Sequence, residues 1–169
     1  MENNYRIGQG LDIHRFRRGR KLILGGIEIP HHSGLLGHSD ADVVVHALMN
    51  AILGALGKDD IGVHFPDSDP RYRGISSGVL LRRVLAIMKN SGFMIVNADL
   101  TVLAQEPRLA PFFAAVRTNL ARLAEIGEGQ VNIKAGTAEK LGWVGQGKGM
   151  MATAVVLLRK SRRRKRRNS

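Results

Sequence analysis

The chain has 169 residues, 44% of them hydrophobic, which is enough for one domain with a substantial core. It has no cysteine, so disulfides and thiolate metal sites are excluded, and any metal must be held by histidine and carboxylate. The formal charge of +12 is uneven: residues 159–169 hold 8 of the 26 basic residues, leaving 18 against 14 acidic ones in the rest.

No apolar run approaches the length of a membrane span, and no signal peptide precedes the first strand. The expected location is the bacterial cytoplasm, or a plastid only if a transit peptide has been removed. Residues 5–13 read as a strand, in which Asp12 and His14, two apart, share a face. Lys21 to Pro30 reads as a hairpin turning at Gly25-Gly26, and Pro30 to Gly37 as loop.

Asp40 to Leu56 predicts a helix capped by Ser39 or Asp40. It is apolar nearly all round and therefore buried, with Asp42, His46 and Asn50 in one polar stripe. That stripe either faces water or contacts a metal or substrate. Gly57 to Arg73 is a loop dense in Asp, Pro and Gly. Ser76 or Ser77 caps a helix running to about Asn90. Phe93 to Ala104 alternates as a strand, and Pro111 opens a helix to about Ile126.

Gln130 to Gly136 is a strand, residues 142–149 are a Gly-rich loop, and Met150 to Leu158 is apolar enough to be a central strand. The class is α/β (α+β): a single domain over residues 1–158, with a mixed four-stranded sheet and helices packed on one face. Residues 159–169 form a basic tail too self-repelling to pack, expected to be disordered and to touch polyanions non-specifically.

Asp12, His14 and His46 make a three-ligand set suited to zinc, with a fourth position left for substrate. The bland alternative is a surface Asp beside a hydrogen-bonded His. His38-Ser39-Asp40 precedes a helix N-terminus, which favours phosphate, or it is a local capping cluster. Asp60, Asp67 and Asp69 sit in a loop where they serve either a polyol or turn chemistry; His64 reads as a surface residue. Thr137 and the small residues Gly136 and Ala138 let an anion approach the backbone. Glu139 is a candidate for a hard cation such as magnesium, or half of a surface pair with Lys140.

Taken together, Arg6–His14, Gly34–Val43, His46-Ala-Leu, Asp60–Gly62, Phe65–Pro70, Ala104–Arg108 and Glu139–Gly142 stand in one order over residues 5–158. The chain in this respect resembles the 2-C-methyl-D-erythritol 2,4-cyclodiphosphate synthases, lyases of the non-mevalonate isoprenoid pathway. The resemblance implies a homotrimer joined through its sheets, with active sites between adjacent subunits. It implies zinc on Asp12, His14 and His46, and magnesium or manganese held by Glu139 on a diphosphate.

The substrate implied is 4-diphosphocytidyl-2-C-methyl-D-erythritol 2-phosphate, cyclised with release of CMP. His38 and Thr137 match the catalytic positions that orient the transferring phosphoryl group. The substrate-binding positions carried over begin with Asp12, Ile13, His14, His38 and Ser39. Asp60, Ile61 and Gly62 match positions on the methylerythritol hydroxyls. Phe65, Pro66, Asp67, Ser68 and Asp69 match a lining loop. Ala104, Gln105, Glu106, Pro107, Arg108, Leu109 and Ala110 match the cytosine pocket. Gly136, Thr137, Ala138, Glu139, Trp143 and Gln146 complete the set.

The chain departs from the family pattern in carrying Asn50 for Asp, Ala41 for Gly and Arg108 for Lys. It has one hydroxyl left in Gly136-Thr137-Ala138. Gly145-Gln-Gly-Lys-Gly149 replaces Gly-Arg-Gly-Glu-Gly at a site associated with the trimer axis. Two other readings stand beside the enzyme: a non-catalytic trimer that binds nucleotide or metal, and a polyanion-binding protein acting through its tail.

Overall fold

The computed structural model of the protein describes residues 4–161. β1 (Tyr5–Arg18) leads into a hairpin of β2 (Leu22–Leu24) and β3 (Ile27–Ile29), then β4 (Ser33–Leu35) and α1 (Val43–Leu56). α2 (Ile61–His64) and a 3-10 turn at Pro70–Tyr72 precede α3 (Ser77–Asn90) and β5 (Phe93–Leu103). A second 3-10 turn, Ala110–Phe112, opens α4 (Phe113–Ala124); β6 (Val131–Gly136), α5 (Gly142–Gly145) and β7 (Gly149–Lys160) follow.

The main sheet has five strands in the order β4-β1-β7-β5-β6, with only β5 and β6 parallel. The fold class is the expected one, but the sheet gains an edge strand. Leu35 and Ser33, expected in loop, pair with Phe16 and Arg18, which also prolongs β1 five residues past its expected end. Apolar Met150–Leu158 does lie centrally, in β7 between β1 and β5. β7 continues to Lys160, so the boundary expected at residue 158 falls inside a strand, and residues 162–169 of the tail lie outside those described. The hairpin turns where expected, with Gly25 and Gly26 both at positive φ, as a two-residue turn of this hand requires.

α1 lies directly on β1. The contact is possible because Gly8 and Gly10 have no side chain: a Cβ on Gly10 would sit 2.1 Å from the Ala47 carbonyl oxygen, and one on Gly8 1.9 Å from that of Ala51. Helix backbone therefore touches strand backbone, and His46 is brought beside Asp12 and His14.

The helix begins later than expected. Its cap is Asp42, whose carboxylate accepts from Val44 and Val45 N–H and from Gly25 and Gly26 in the hairpin turn. Burial pushes that carboxyl up to about 6, against the pull of the Gly26 and Gly25 N–H groups. Ser39 and Asp40 instead form the preceding loop, in which buried Ala41 takes a left-handed φ of 58° at a cost of about 1 kcal/mol. The polar stripe does not face water: Asp42 and His46 are buried, and Asn50 bridges the Leu11 carbonyl and the Ile61 N–H.

Ser76 caps α3 through Gly78 N–H, as expected. The loop at 57–73 is partly ordered into α2 and a 3-10 turn, because Asp60 and Asp69 act as their caps. The face of the sheet away from α1 carries exposed Ile7, Leu11, Ile13 and Val155. No helix among the described residues is long and apolar enough to cross a membrane.

Candidate active site

Asp12 and His14 project from the same face of β1, and His46 reaches them from the second turn of α1. His14 Nε2 lies 2.9 Å and His46 Nδ1 3.1 Å from Asp12 Oδ2, and the two ring nitrogens are 3.3 Å apart. The free valences are fixed by what each ring does elsewhere. His14 Nδ1 donates to the Leu36 carbonyl at 2.7 Å, leaving the Nε2 lone pair for the site. His46 Nε2 meets the Ser77 and Ser39 hydroxyls at 2.9 and 3.2 Å, leaving Nδ1. Ser77 Oγ donates in turn to Asp40, in a short hydrogen bond.

Two imidazole lone pairs and a carboxylate oxygen thus converge, and these donors fit a divalent ion of the zinc class. Burial raises the Asp12 carboxyl, but hydrogen bonds from His14 and His46 outweigh it and hold the group well below the usual carboxylate range. Burial disfavours charge on His14, yet the Asp12 carboxylate raises its pKa above the ordinary histidine value. Asp12 therefore stays ionised, as a metal ligand must.

Because Ser77 orients the ring rather than the ion, Ser77→Ala should weaken metal binding about tenfold and leave the fold intact, with Ser39 limiting the loss. A chelator competition titration measures this, and an unchanged affinity would remove Ser77 from the site.

The three side chains line one end of a cavity of about 320 Å³. His38, Ser39, Ile61, Gly62, Phe65, Pro66 and Asp67 line it too, as do Gly37, Tyr72 and Leu80, which no sequence signal marked. His38 Nε2 is buried with no hydrogen-bond partner, a polar atom left for a ligand. Asp60, Ser68 and Asp69 stand outside this lining: Asp60 caps α2, and Asp69 is paired with Arg71. His64, as expected, binds no site; its Nε2 donates to the Lys58 carbonyl.

The other expected positions gather elsewhere. Ala104, Gln105, Pro107, Arg108, Leu109, Ala110, Gly136 and Thr137 line a second cavity of about 250 Å³, together with Phe113 and Ala135. Thr137 Oγ1 donates to Glu139 at 2.7 Å, and Gln105 accepts from Lys140 N–H, so strand ends and loops hold one another. Glu139 is exposed and adopts a positive φ. Ala138 and Gln146 line neither cavity, and Trp143 and Ile13 share an open hollow with Lys148. The two cavities that gather the expected positions have no lining residue in common.

A family model described as the YgbB family matches residues 5–159, nearly all of the described chain. The chain belongs to the YgbB family. Its curated relatives include the 2-C-methyl-D-erythritol 2,4-cyclodiphosphate synthase of Geobacillus kaustophilus, 54% identical over 157 residues, covering 93% of this chain and 99% of the relative. Among solved structures, a 2C-methyl-D-erythritol-2,4-cyclodiphosphate synthase in a CDP-bound form superposes with a TM-score of 0.84 at 40% identity, covering 90% of this chain and 99% of that one. The IspF of Plasmodium falciparum in a CDP complex gives 0.83 at 34% identity, covering 96% and 100%. The YgbB match ends at Arg159, inside β7, so the family domain and the sheet finish together.

Proposed function

We propose that this chain, like the YgbB-family synthases it matches, converts 4-diphosphocytidyl-2-C-methyl-D-erythritol 2-phosphate to 2-C-methyl-D-erythritol 2,4-cyclodiphosphate and CMP. The observation that carries this reading is the convergence of Asp12, His14 and His46 beside the unpartnered His38 Nε2 in one cavity. The identity to named synthases over almost the whole of both chains supports the substrate.

An oxygen of the 2-phosphate attacks the β-phosphorus. The bond from that phosphorus to the oxygen bridging it to the α-phosphate breaks, and CMP leaves with that oxygen. No protein nucleophile is required, so the chain's task is to position groups and balance charge. When bound, zinc on Asp12, His14 and His46 and magnesium or manganese at Glu139 supply positive charge to the phosphate oxygens. His38 Nε2 donates to the transferring phosphoryl group, Thr137 Oγ1 does so once its hydroxyl turns from Glu139, and Ser39 helps to keep the first cavity's wall in place. Asp60, Ile61 and Gly62 hold the methylerythritol hydroxyls, Phe65, Pro66 and Asp67 line the chamber, and Ala104, Gln105 and Pro107 to Ala110 receive the cytosine. Trp143 and Gln146 close the rim.

The active protein is a homotrimer. Two observations support this. The sheet presents an apolar face of Ile7, Leu11, Ile13 and Val155 that a neighbour would cover. The metal-side and nucleotide-side cavities are separate in one chain, so a site spanning both is completed by an adjacent subunit. The enzyme works in the cytoplasm, and its basic tail makes only non-specific contact with polyanions.

Phosphorus NMR of the purified protein with the diphosphocytidyl substrate, zinc and magnesium tests the reading. Cyclodiphosphate and CMP resonances are expected. Metal-bound trimer without product would mean a non-catalytic family member. Glu139→Gln should raise the magnesium or manganese requirement about tenfold and leave zinc content unchanged. A variant that lost its zinc instead would reverse the assignment of the two metals.

A further inference from the structure

A second cluster of metal-ligating side chains lies apart from the site above. A ring nitrogen of His31, one of His32 and a carboxylate oxygen of Glu106 all lie within 4.8 Å of one another. His31 and His32 belong to the connection from β3 to β4, and Glu106 to the loop that follows β5. Neither cavity of the proposed active site includes any of the three.

The His31 ring is prepared for a ligand. Its Nδ1 lies 2.8 Å from the Ser33 carbonyl, which can only accept, so Nδ1 carries the proton and Nε2 the lone pair. That Nε2 is buried and has no hydrogen-bond partner. A bare lone pair removed from water costs free energy unless something occupies it. The arrangement repeats that of His14, whose Nδ1 is tied to the Leu36 carbonyl while Nε2 faces Asp12 and His46. Backbone-anchored imidazoles of this kind are the usual support of a metal-binding histidine.

We propose that His31, His32 and Glu106 form a second site for a divalent ion of the zinc class, bound through two imidazoles and one carboxylate. Donors about 2.1 Å from a tetrahedral ion stand about 3.4 Å apart, so closure draws in atoms that already lie within 4.8 Å of one another. His32 and Glu106 are exposed and free to make it. Glu106 sits between Gln105 and Pro107, which both line the second cavity. An ion here therefore fastens that cavity's loop to the β3–β4 connection, and its role is to order the loop.

Equilibrium dialysis of the tag-free, full-length chain against micromolar free zinc, read by elemental analysis, tests the site. Two equivalents per chain are expected in the wild type and one in each of His32→Ala, Glu106→Gln and His46→Ala. None should remain in the His32→Ala, His46→Ala double variant. Cobalt(II) provides an independent readout: its tetrahedral absorption should persist in His46→Ala and vanish in the double variant. His32 and Glu106 are surface residues, so circular dichroism should show each variant folded. A single equivalent in the wild type, loss of all zinc in His46→Ala, or two equivalents kept by either His32→Ala or Glu106→Gln would each overturn the proposal.

Discussion

His46→Ala should bind no metal at the first site and lose about a thousandfold or more of its turnover while remaining folded. The expectation follows from how few ligands exist. The chain has no thiolate to substitute, and removing His46 leaves Asp12 and His14, two donors where a stable site needs at least three. Loss of a single oriented hydrogen-bond donor at a reacting phosphoryl or acyl group costs about 100- to 1000-fold, and a divalent charge contributes at least as much.

The structural cost is smaller. Ser77 keeps its bond to Asp40 and Ser39 its bond from Ala41 N–H, so the deleted ring leaves a cavity but no stranded hydroxyl. Metal content, oligomeric mass and turnover measured on one sample settle the matter. Full activity without zinc at this site would sink the mechanism.

Gly10→Ala should have a large structural effect for a single methyl. Its backbone conformation suits alanine, since φ is not positive, so the objection is purely one of space. The new Cβ would lie 2.1 Å from Ala47 O and 2.5 Å from Ala51 N, atoms of helix backbone that no rotamer change can move aside. Overpacking of a side chain costs about 1–3 kcal/mol; against backbone the upper end or more is expected. α1 must lift from β1, which draws His46 away from Asp12 and His14. Denaturant midpoint and zinc affinity should therefore fall together.

Gly54→Ala is the matched control. Its Cβ would meet nothing nearer than 3.7 Å, and in the last turn of α1 it should be neutral or stabilise by up to about 1 kcal/mol. If both variants behaved alike, close backbone packing would not be what positions the site.

The elements that were legible in the sequence had local signals. Gly25-Gly26 between two short apolar runs announced a hairpin, and Ser76 announced a cap. The convergence of Asp12, His14 and His46 was legible in part because strand periodicity alone puts Asp12 and His14 on one face. What places His46 against them is the pairing of Gly8 and Gly10 with α1, a contact across some forty residues that no short window contains.

The cap of α1 was misplaced for a similar reason. Ser39 and Asp40 have the right chemistry, but Ser77 draws Asp40 away and the hairpin glycines claim Asp42, both through distant partners. β4 has three residues and no pattern of its own; it exists because β1 runs on far enough to pair with it. Ser77, Tyr72 and Leu80 reach the site by tertiary packing, so only the fold could reveal them.

In the proposed trimer, the separation of the two cavities would make catalytic competence communal. A chain with a ruined metal triangle still owns a sound nucleotide pocket, and a chain with a ruined pocket still owns a sound triangle. Within the proposed ring of three, each junction would need one good half from each neighbour. Two dead proteins, mixed and allowed to exchange subunits, should therefore revive about a quarter of their junctions. On dilution below the assembly threshold, activity should collapse faster than protein concentration, since a lone chain owns both halves and can join neither to the other.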